Sequence, residues 1–477
     1  MGFIERAKAK LKPDHESTKV MLKAMGLMGS FKALYILCAL IRNKLIALWV
    51  GPAGVGISIL YNSILEMVGQ TTRMNIDQSA VRDIAASGKG QLDSTATVVG
   101  TWSVGLGVLG ALVVCLLSPL LSIWSFGDTH MWWSFCVLSL VPMGNTIFNG
   151  VQAILQGTGQ NKRIAQANIL VVIGAIILVV PLVYFLREDS IIWVILVYGV
   201  FALISAIVFR PGMRRVVMGL REIWRRGASF IKLGVLITVA NGVSMLFNYL
   251  FVLYMNSYAS TDTLGIYQAG YTLVNTYVGM LFAGLWMDFF PRLSALSHTR
   301  MRASTVVSHQ MNVTVWLLMP LVAFFVAADE LVVIILYADT FMAMLPFITL
   351  GIAGVVIRGA SWCIAYVMLT RGDGHMYVIT ETVSGVVFLV LHVLMYSAWG
   401  FLGLGFAYIL WYAIYFSLCY VIYRRRYGLT LDRGVMRSLI LSITFCLIAV
   451  AAKYLAGWWL PLLMAIAIVP STLKRLK

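Results

Sequence analysis

Asn62, Glu66, Gln70 and Arg73 recur at helical spacing inside an otherwise apolar stretch, and the pattern returns three times. Asn145, Asn149, Gln152 and Gln156 form a second stripe, Asn241, Ser244 and Asn248 a third, and Gln268 with Asn275 a fourth. Residues at i, i+4 and i+7 share one helix face, and polar faces are not turned to lipid. The simplest arrangement directs all four stripes into one water-filled cavity. Their plainer use is interhelical hydrogen bonding, of modest energy per contact.

Charged side chains decide what such a cavity prefers. Lys32 lies some ten residues into the first apolar stretch and Arg358 about seventeen into the tenth, near mid-depth at a rise of about 1.5 Å per residue. Neither snorkels easily to an interface from there, whereas Lys23, Arg42, Lys44 and Arg73 stand nearer helix ends. Lys32 and Arg358 are thus the leading cavity cations, with Arg292 and Arg73 as further candidates. The acids in or at the ends of apolar stretches are Glu66, Asp288 and Glu381, candidates for a gate or for ion coupling. Asp288 and Arg292 are spaced to pair if the helix survives Pro291. His392 reads as a hydrogen-bonded packing residue. An excess of positive charge at mid-depth suits an anion, and a lipid-linked sugar phosphate is an anion that must carry polar cargo across a membrane. Arg and Lys would hold its phosphates. Tyr61, Tyr267, Tyr271, Tyr277 and Trp362 would meet sugar rings, although each taken singly also serves as a packing or interface residue.

The elements that must position these residues are apolar stretches near bilayer length. About fourteen are expected, at roughly 22–46, 53–73, 95–118, 132–155, 165–186, 190–209, 230–255, 264–290, 310–328, 341–369, 377–398, 402–423, 437–453 and 457–472. A mean hydropathy of +0.88, with 60% hydrophobic and only 12% charged residues, excludes a water-soluble globule of 477 residues. With the N-terminus cytoplasmic, about 29 basic residues fall on cytoplasmic faces, about 2 outside (Arg187 and Lys453) and about 5 within helices, which is the positive-inside pattern. Asp128, Glu188, Asp189, Asp262, Asp329, Glu330 and Asp339 collect in the outer loops. The net charge of +17 therefore reports topology and not nucleic acid. Both termini are expected in the cytoplasm. Residues 1–20 lack the apolar core of a secretory signal. The six cysteines fall singly in apolar stretches, so neither a metal site nor a disulfide is expected.

The fold class expected is an all-α polytopic membrane protein, with two pseudo-symmetric six-helix lobes around a central cavity and two further C-terminal helices. The lobes are 1–209 and 230–425, joined by a basic linker at 210–229, and the additional pair occupies 426–477. The linker interleaves Arg214, Arg215, Arg221 and Arg225 with Val216, Val217, Leu220, Ile223 and Trp224. It suits an amphipathic segment on the inner leaflet or a plain charged connection. Gly54-Val55-Gly56-Ile57 and Leu264-Gly265-Ile266-Tyr267 open their helices at an offset of about 210 residues, as a duplicated transporter would.

The run Leu264-Gly-Ile-Tyr-Gln-Ala-Gly-Tyr-Thr-Leu-Val-Asn-Thr-Tyr277, continuing to Asp288-Phe-Phe-Pro-Arg-Leu-Ser294, resembles the eighth-helix signature of polysaccharide-repeat (O-antigen, Wzx-type) flippases. Gly51-Pro-Ala-Gly-Val-Gly-Ile57 is similar to the turn after their first helix, and Leu155-Gln-Gly-Thr-Gly-Gln-Asn-Lys162 to their fourth-to-fifth-helix loop. The resemblance, over roughly residues 20–425, implies the multidrug/oligosaccharidyl-lipid/polysaccharide (MOP) superfamily fold. It further implies export of undecaprenyl-pyrophosphate-linked oligosaccharide across a bacterial inner membrane by alternating access. Lys32, Arg292 and Arg358 would be the family's cationic lumen here. Polysaccharide polymerase and chain-length proteins would be partners, alongside membrane lipids. The final two helices go beyond the family's twelve.

No phosphate-binding loop of the form G-x-x-x-x-G-K-[ST] is present, so a proton or sodium gradient, or consumption of the product, is the expected drive. No resident cofactor and no catalytic residue is expected. A multidrug exporter of the same fold is the alternative, and it should favour carboxylates at mid-cavity. A membrane glycan ligase or polymerase would need longer outer loops than this chain has.

Overall fold

The computed structural model describes residues 37–74, 80–81, 84, 87, 91–212, 218–279, 282, 289, 293 and 300–476. Lys23, Lys32, Asp288 and Arg292, on which the expected cation and gate roles of Lys32, Arg292 and Asp288 fall, lie outside the described residues. Described residues are helical almost throughout: α1 (37–49), α2 (Pro52–Arg73), α3 (Leu92–Phe126), α4 (Trp132–Gly157), α5 (Asn161–Leu186) and α6 (Ser190–Val208) precede α7 (Leu220–Tyr258). They are followed by α8 (Thr261–Tyr271, extended by a π-helical turn Thr272–Tyr277), α9 (Arg300–Leu336), α10 (Leu345–Thr370), α11 (374–399), α12 (401–425), α13 (Arg433–Ala456) and α14 (Trp459–Leu476). Among the described residues, eight continuous helical stretches are long and apolar enough to cross a membrane, the α11–α12 pair counting as one. The protein is therefore a multi-pass membrane protein, the solution in which every backbone polar group is satisfied inside its own helix.

Local chemistry sets the helix ends. Gly127 closes α3 in the left-handed conformation and returns its N–H to the Ile123 carbonyl at 2.9 Å. Ser260 caps α8 by accepting from the Thr263 N–H at 3.1 Å, and Asp432 caps α13 from Gly434. Gly400, at φ 58°, is the single non-helical residue between α11 and α12. The chain reverses there, because Trp411 donates to Ser384 and Tyr415 to Glu381, pairs centred on the same point of the sequence. At the turn before α11, Asp373 accepts from Arg426 at 2.6 Å and from Tyr427 at 2.8 Å. Partial burial pushes its carboxyl up, but those two donors outweigh it and hold the group below the usual carboxylate range.

The chain divides into two compact units, residues 1–45 with 68–234, and residues 46–67 with 235–477. In the first, α3 through α6 pack through small residues. Gly150 faces Ser103, Gly144 faces the Gly199 carbonyl, and Ser205 donates to the Ala167 carbonyl at 2.9 Å. The basic connection is partly helical, since α7 starts at Leu220, and it is docked on α3. Trp102 donates to the Ile223 carbonyl at 3.0 Å, and its ring lies 4.9 Å from that of Trp224. Arg221 and Arg225 remain exposed.

In the second unit, the two segments matched by the sequence offset touch each other. A Cβ on Gly56 would come within 2.1 Å of the Thr261 carbonyl, and one on Gly265 within 1.9 Å of the Pro52 carbonyl. The contact is reciprocal, each glycine admitting a backbone carbonyl of the other segment. Only glycine lets both backbones come so close.

The same unit corrects the sequence reading of its outer loops. Helix α9 continues past residue 328, so Asp329 is not in a loop: it is fully buried and pairs with Lys453 of α13. Thr349 of α10 also donates to Asp329, and Glu330 lies 3.3 Å from the same lysine. Hydropathy counts these charges as hydrophilic and places them outside, but mutual neutralisation lets them stay inside the helices. The pair anchors the two C-terminal helices, with Thr472 of α14 against the Trp316 carbonyl of α9.

Two outcomes test this packing. Gly265→Ala should cost about 1–3 kcal/mol of stability through backbone overpacking, seen as a lower unfolding temperature in detergent, while Gly100→Ala, whose Cβ meets nothing within 4 Å, should not lower it. Lys453→Met should cost about 3–5 kcal/mol by leaving a buried carboxylate unpaired, and adding Asp329→Asn should recover most of the loss in the same measurement.

Candidate functional site

Arg358 stands at the centre of α10, the most enclosed of the candidate spans, with 72% of its apolar window buried. The side chain is buried, and it is held by three helices. Its Nη1 donates to the Asn275 backbone carbonyl at 3.3 Å and to the Tyr408 hydroxyl at 3.3 Å, and that hydroxyl donates in turn to Asn275 Oδ1 at 3.2 Å. The π-helical turn at the end of α8 delivers Asn275, a use of π geometry common at functional positions. Aromatic rings surround the guanidinium, with Trp362 at 4.7 Å, Phe282 at 5.7 Å and Tyr412 at 5.8 Å. Such rings stabilise a cation without neutralising it.

Among the described residues no carboxylate lies within 4 Å of Arg358. Its Nε, and the Nδ2 of Asn275, are buried donors with no acceptor. A Cβ on Gly279 would stand 3.7 Å from Arg358 Nη2, in ordinary contact with it. A buried cation lacking a counter-charge is costly, and two idle donors beside it add to the cost. Both costs disappear when an anion with several acceptor oxygens arrives.

Trp362 and Tyr412 also form the wall of a cavity of about 280 Å³ within the second unit. Asn241, Ser244 and Asn248 line it from α7, Tyr271 from α8, Tyr366 from α10, Tyr377 and Glu381 from α11, and Trp411 and Tyr415 from α12. Glu381 accepts from the Tyr415 hydroxyl at 2.6 Å and from Ser244 at 3.3 Å. The cavity is thus an aromatic and amide chamber with one carboxylate in its wall and one guanidinium just behind it. Its volume falls below the roughly 300–1,000 Å³ of small-molecule sites, so a headgroup of several sugars requires it to widen.

Of the residues singled out in the sequence, Asn241, Asn248, Asn275, Arg358 and Glu381 are brought together here, with Tyr271 and Trp362. Gln268 is half-buried on α8. Tyr61 and Tyr267 are fully buried packing residues, and His392 is packed against Phe251 with Nδ1 at 2.8 Å from the Phe388 carbonyl. On α2, Asn62 donates to Ser58 of its own helix at 3.1 Å, Glu66 is exposed, and Gln70 and Arg73 are half-buried. In the first unit, Asn145 is exposed and Asn149 half-buried, while Gln152 donates to Asn168 of α5 at 3.0 Å, an interhelical bond. Sequence reasoning missed Tyr408, Tyr412, Tyr415 and Trp411, although Tyr408, Trp411 and Tyr415 fall at helical spacing on α12.

The family model for polysaccharide biosynthesis proteins matches residues 49–346, more than half of the chain. Lipid III flippase of Escherichia coli (strain K12) is 24% identical over 409 residues, covering 81% of this chain and 95% of that protein, and the Shigella flexneri protein of the same name matches equally. Among solved structures, the lipid II flippase MurJ in an inward closed conformation superposes with a TM-score of 0.64 at 11% identity, covering 94% of this chain and 97% of that one. An inward-facing multidrug resistance transporter of the MATE family reaches 0.67 at 13% identity, covering 85% and 95%. These relatives are transporters and not enzymes, and the fold is theirs. By its sequence the chain belongs to the polysaccharide biosynthesis protein family, built on the fold of the MOP superfamily.

Proposed function

We propose that this protein is a flippase that moves undecaprenyl-pyrophosphate-linked oligosaccharide repeat units across the bacterial inner membrane, for O-antigen or another surface polysaccharide. The observation that carries the proposal is Arg358, a buried guanidinium with no carboxylate among the described residues within 4 Å and with idle donors around it. A pyrophosphate supplies the missing charge and acceptors. Trp362, Tyr366, Trp411 and Tyr412 offer ring faces for sugars, and Asn241 and Asn248 offer amides for hydroxyls. The relatives named lipid III flippase and lipid II flippase support a lipid-linked cargo. Lys32, Arg292 and Arg73 extend the cationic path in this proposal, with Asp288 and Glu381 at the gate or taking the coupling H+ or Na+. The termini are cytoplasmic, and polymerase and chain-length proteins receive the product.

Glu381 favours a second reading, since a carboxylate in the cavity wall is what a cation exporter of the MATE type needs. The two readings separate experimentally. Under the flippase reading, Arg358→Ala abolishes surface polysaccharide and accumulates the lipid-linked oligosaccharide on the inner leaflet, at a normal level of protein in the membrane. Glu381→Gln then alters the rate without changing the cargo. Undiminished polysaccharide in Arg358→Ala, together with drug sensitivity in Glu381→Gln, would establish the exporter instead. Tyr415→Phe removes the shortest hydrogen bond to Glu381 and should cost about 1.5–3 kcal/mol, measured as a lower unfolding temperature relative to Glu381→Gln/Tyr415→Phe.

A further inference from the structure

Cys115 of α3 and Cys136 of α4 are 21 positions apart, and their Sγ atoms stand 3.2 Å from each other. This contradicts the sequence expectation that the cysteines stand singly: no motif spacing relates the two, and the antiparallel packing of α3 on α4 brings them together. The Ser118 hydroxyl, which donates to the Cys115 carbonyl at 2.7 Å, lies 3.2 Å from the Cys136 sulfur. The other four cysteines are buried, and none has a second sulfur recorded beside it among the described residues. Cys115 is exposed and Cys136 half-buried at the surface of the first unit.

The depth of the pair is set by its neighbours. Trp132 and Trp133 open α4 and are both exposed, as residues of an interfacial aromatic belt are. Cys136 follows Trp132 by one helical turn, about 6 Å of rise. The connection between the two helices, residues 127–131, holds Asp128 and no lysine or arginine, so the charge rule puts this end on the extracytoplasmic side. Thiols near that face meet an oxidising compartment.

We propose that Cys115 and Cys136 form an intramolecular disulfide that staples α3, about three turns before its extracytoplasmic end, to the first turns of α4. A bonded pair has its sulfurs about 2.05 Å apart, about an ångström closer than the 3.2 Å between these two. The oxidant is the disulfide of an extracytoplasmic thiol–disulfide oxidoreductase. The Cys136 thiolate attacks it and expels one of its thiolates, forming a mixed disulfide; the Cys115 thiolate then attacks the Cys136 sulfur and releases the second. One S–S bond forms and one breaks, two electrons pass to the oxidoreductase, and the protons of both thiols end on its dithiol. The staple complements the glycine contacts between the same helices, where Gly107 meets Met143 and Gly150 meets Ser103 farther along the pair. It depends only on the packing of the first unit and is independent of what the protein transports.

Thiol counting in the full chain tests this. Membranes are quenched in acid, denatured, and labelled with a polyethylene-glycol maleimide that shifts the gel band once per thiol. Of the six cysteines, all but this pair should label without reductant and all six with it. Cys115→Ser should show the same number of labels with and without reductant, the remaining five. Six labels on the wild-type chain without reductant would overturn the proposal, as would a Cys115→Ser chain that still gains two on reduction.

Discussion

The structure of the second unit turns on the burial of one guanidinium in a bundle that is itself immersed in lipid. Transferring a charge to the bilayer interior costs several kcal/mol even by the most lenient scales, so the surroundings of Arg358 have to return that energy. They return part of it. A backbone carbonyl and a tyrosine hydroxyl accept from Nη1, and three rings face the cation. Neither kind of contact supplies the formal negative charge that a salt bridge would. Arg358 is thus held in position, with no carboxylate among the described residues within 4 Å of it.

The contrast with Asp329 shows that the fold is able to neutralise charge where nothing needs to bind. That carboxylate, as deeply buried as Arg358, receives Lys453, Thr349 and the Glu330 N–H together. A saturated cluster of this kind fixes α13 and α14 to the bundle and offers nothing further. Of these two buried charges in one unit, Asp329 is paired and Arg358 has no carboxylate beside it among the described residues. Glu381 stands between them. Its two hydroxyl donors satisfy hydrogen bonding without supplying positive charge.

Much of this was legible in the sequence because the bilayer is a severe filter. Length and hydropathy located most of the helices, the i, i+4 spacing of Asn241, Ser244 and Asn248 placed them on one wall, and the mid-helix position of Arg358 matched its burial at the centre of α10. Three things were not legible, each for a physical reason. Charge neutralisation is a property of pairs distant in sequence, so Asp329 and Lys453 looked like loop residues. The proximity of Cys115 and Cys136 follows from the relative register of two helices, which no spacing rule encodes. Gln152 has the same signature as the cavity amides, yet Asn168 engages it in an interhelical bond. A polar residue in a membrane helix signals that it must face something other than lipid, and whether that is water or a neighbouring amide is settled by packing.

The glycine crossing links this chemistry to the duplication. Gly56 and Gly265 stand at the sequence offset that suggested duplication, and each admits a backbone carbonyl of the other's segment, Thr261 and Pro52 respectively. The crossing fixes the start of α8, and α8 ends, about three turns later, in the π-helical segment that presents Asn275 to Arg358. A helix pinned by backbone contact at one end has little freedom to slide, so the carbonyl at its other end meets the guanidinium at a set distance. Through two positions that tolerate no side chain, the crossing sets the register of the helix that holds the unneutralised charge in place.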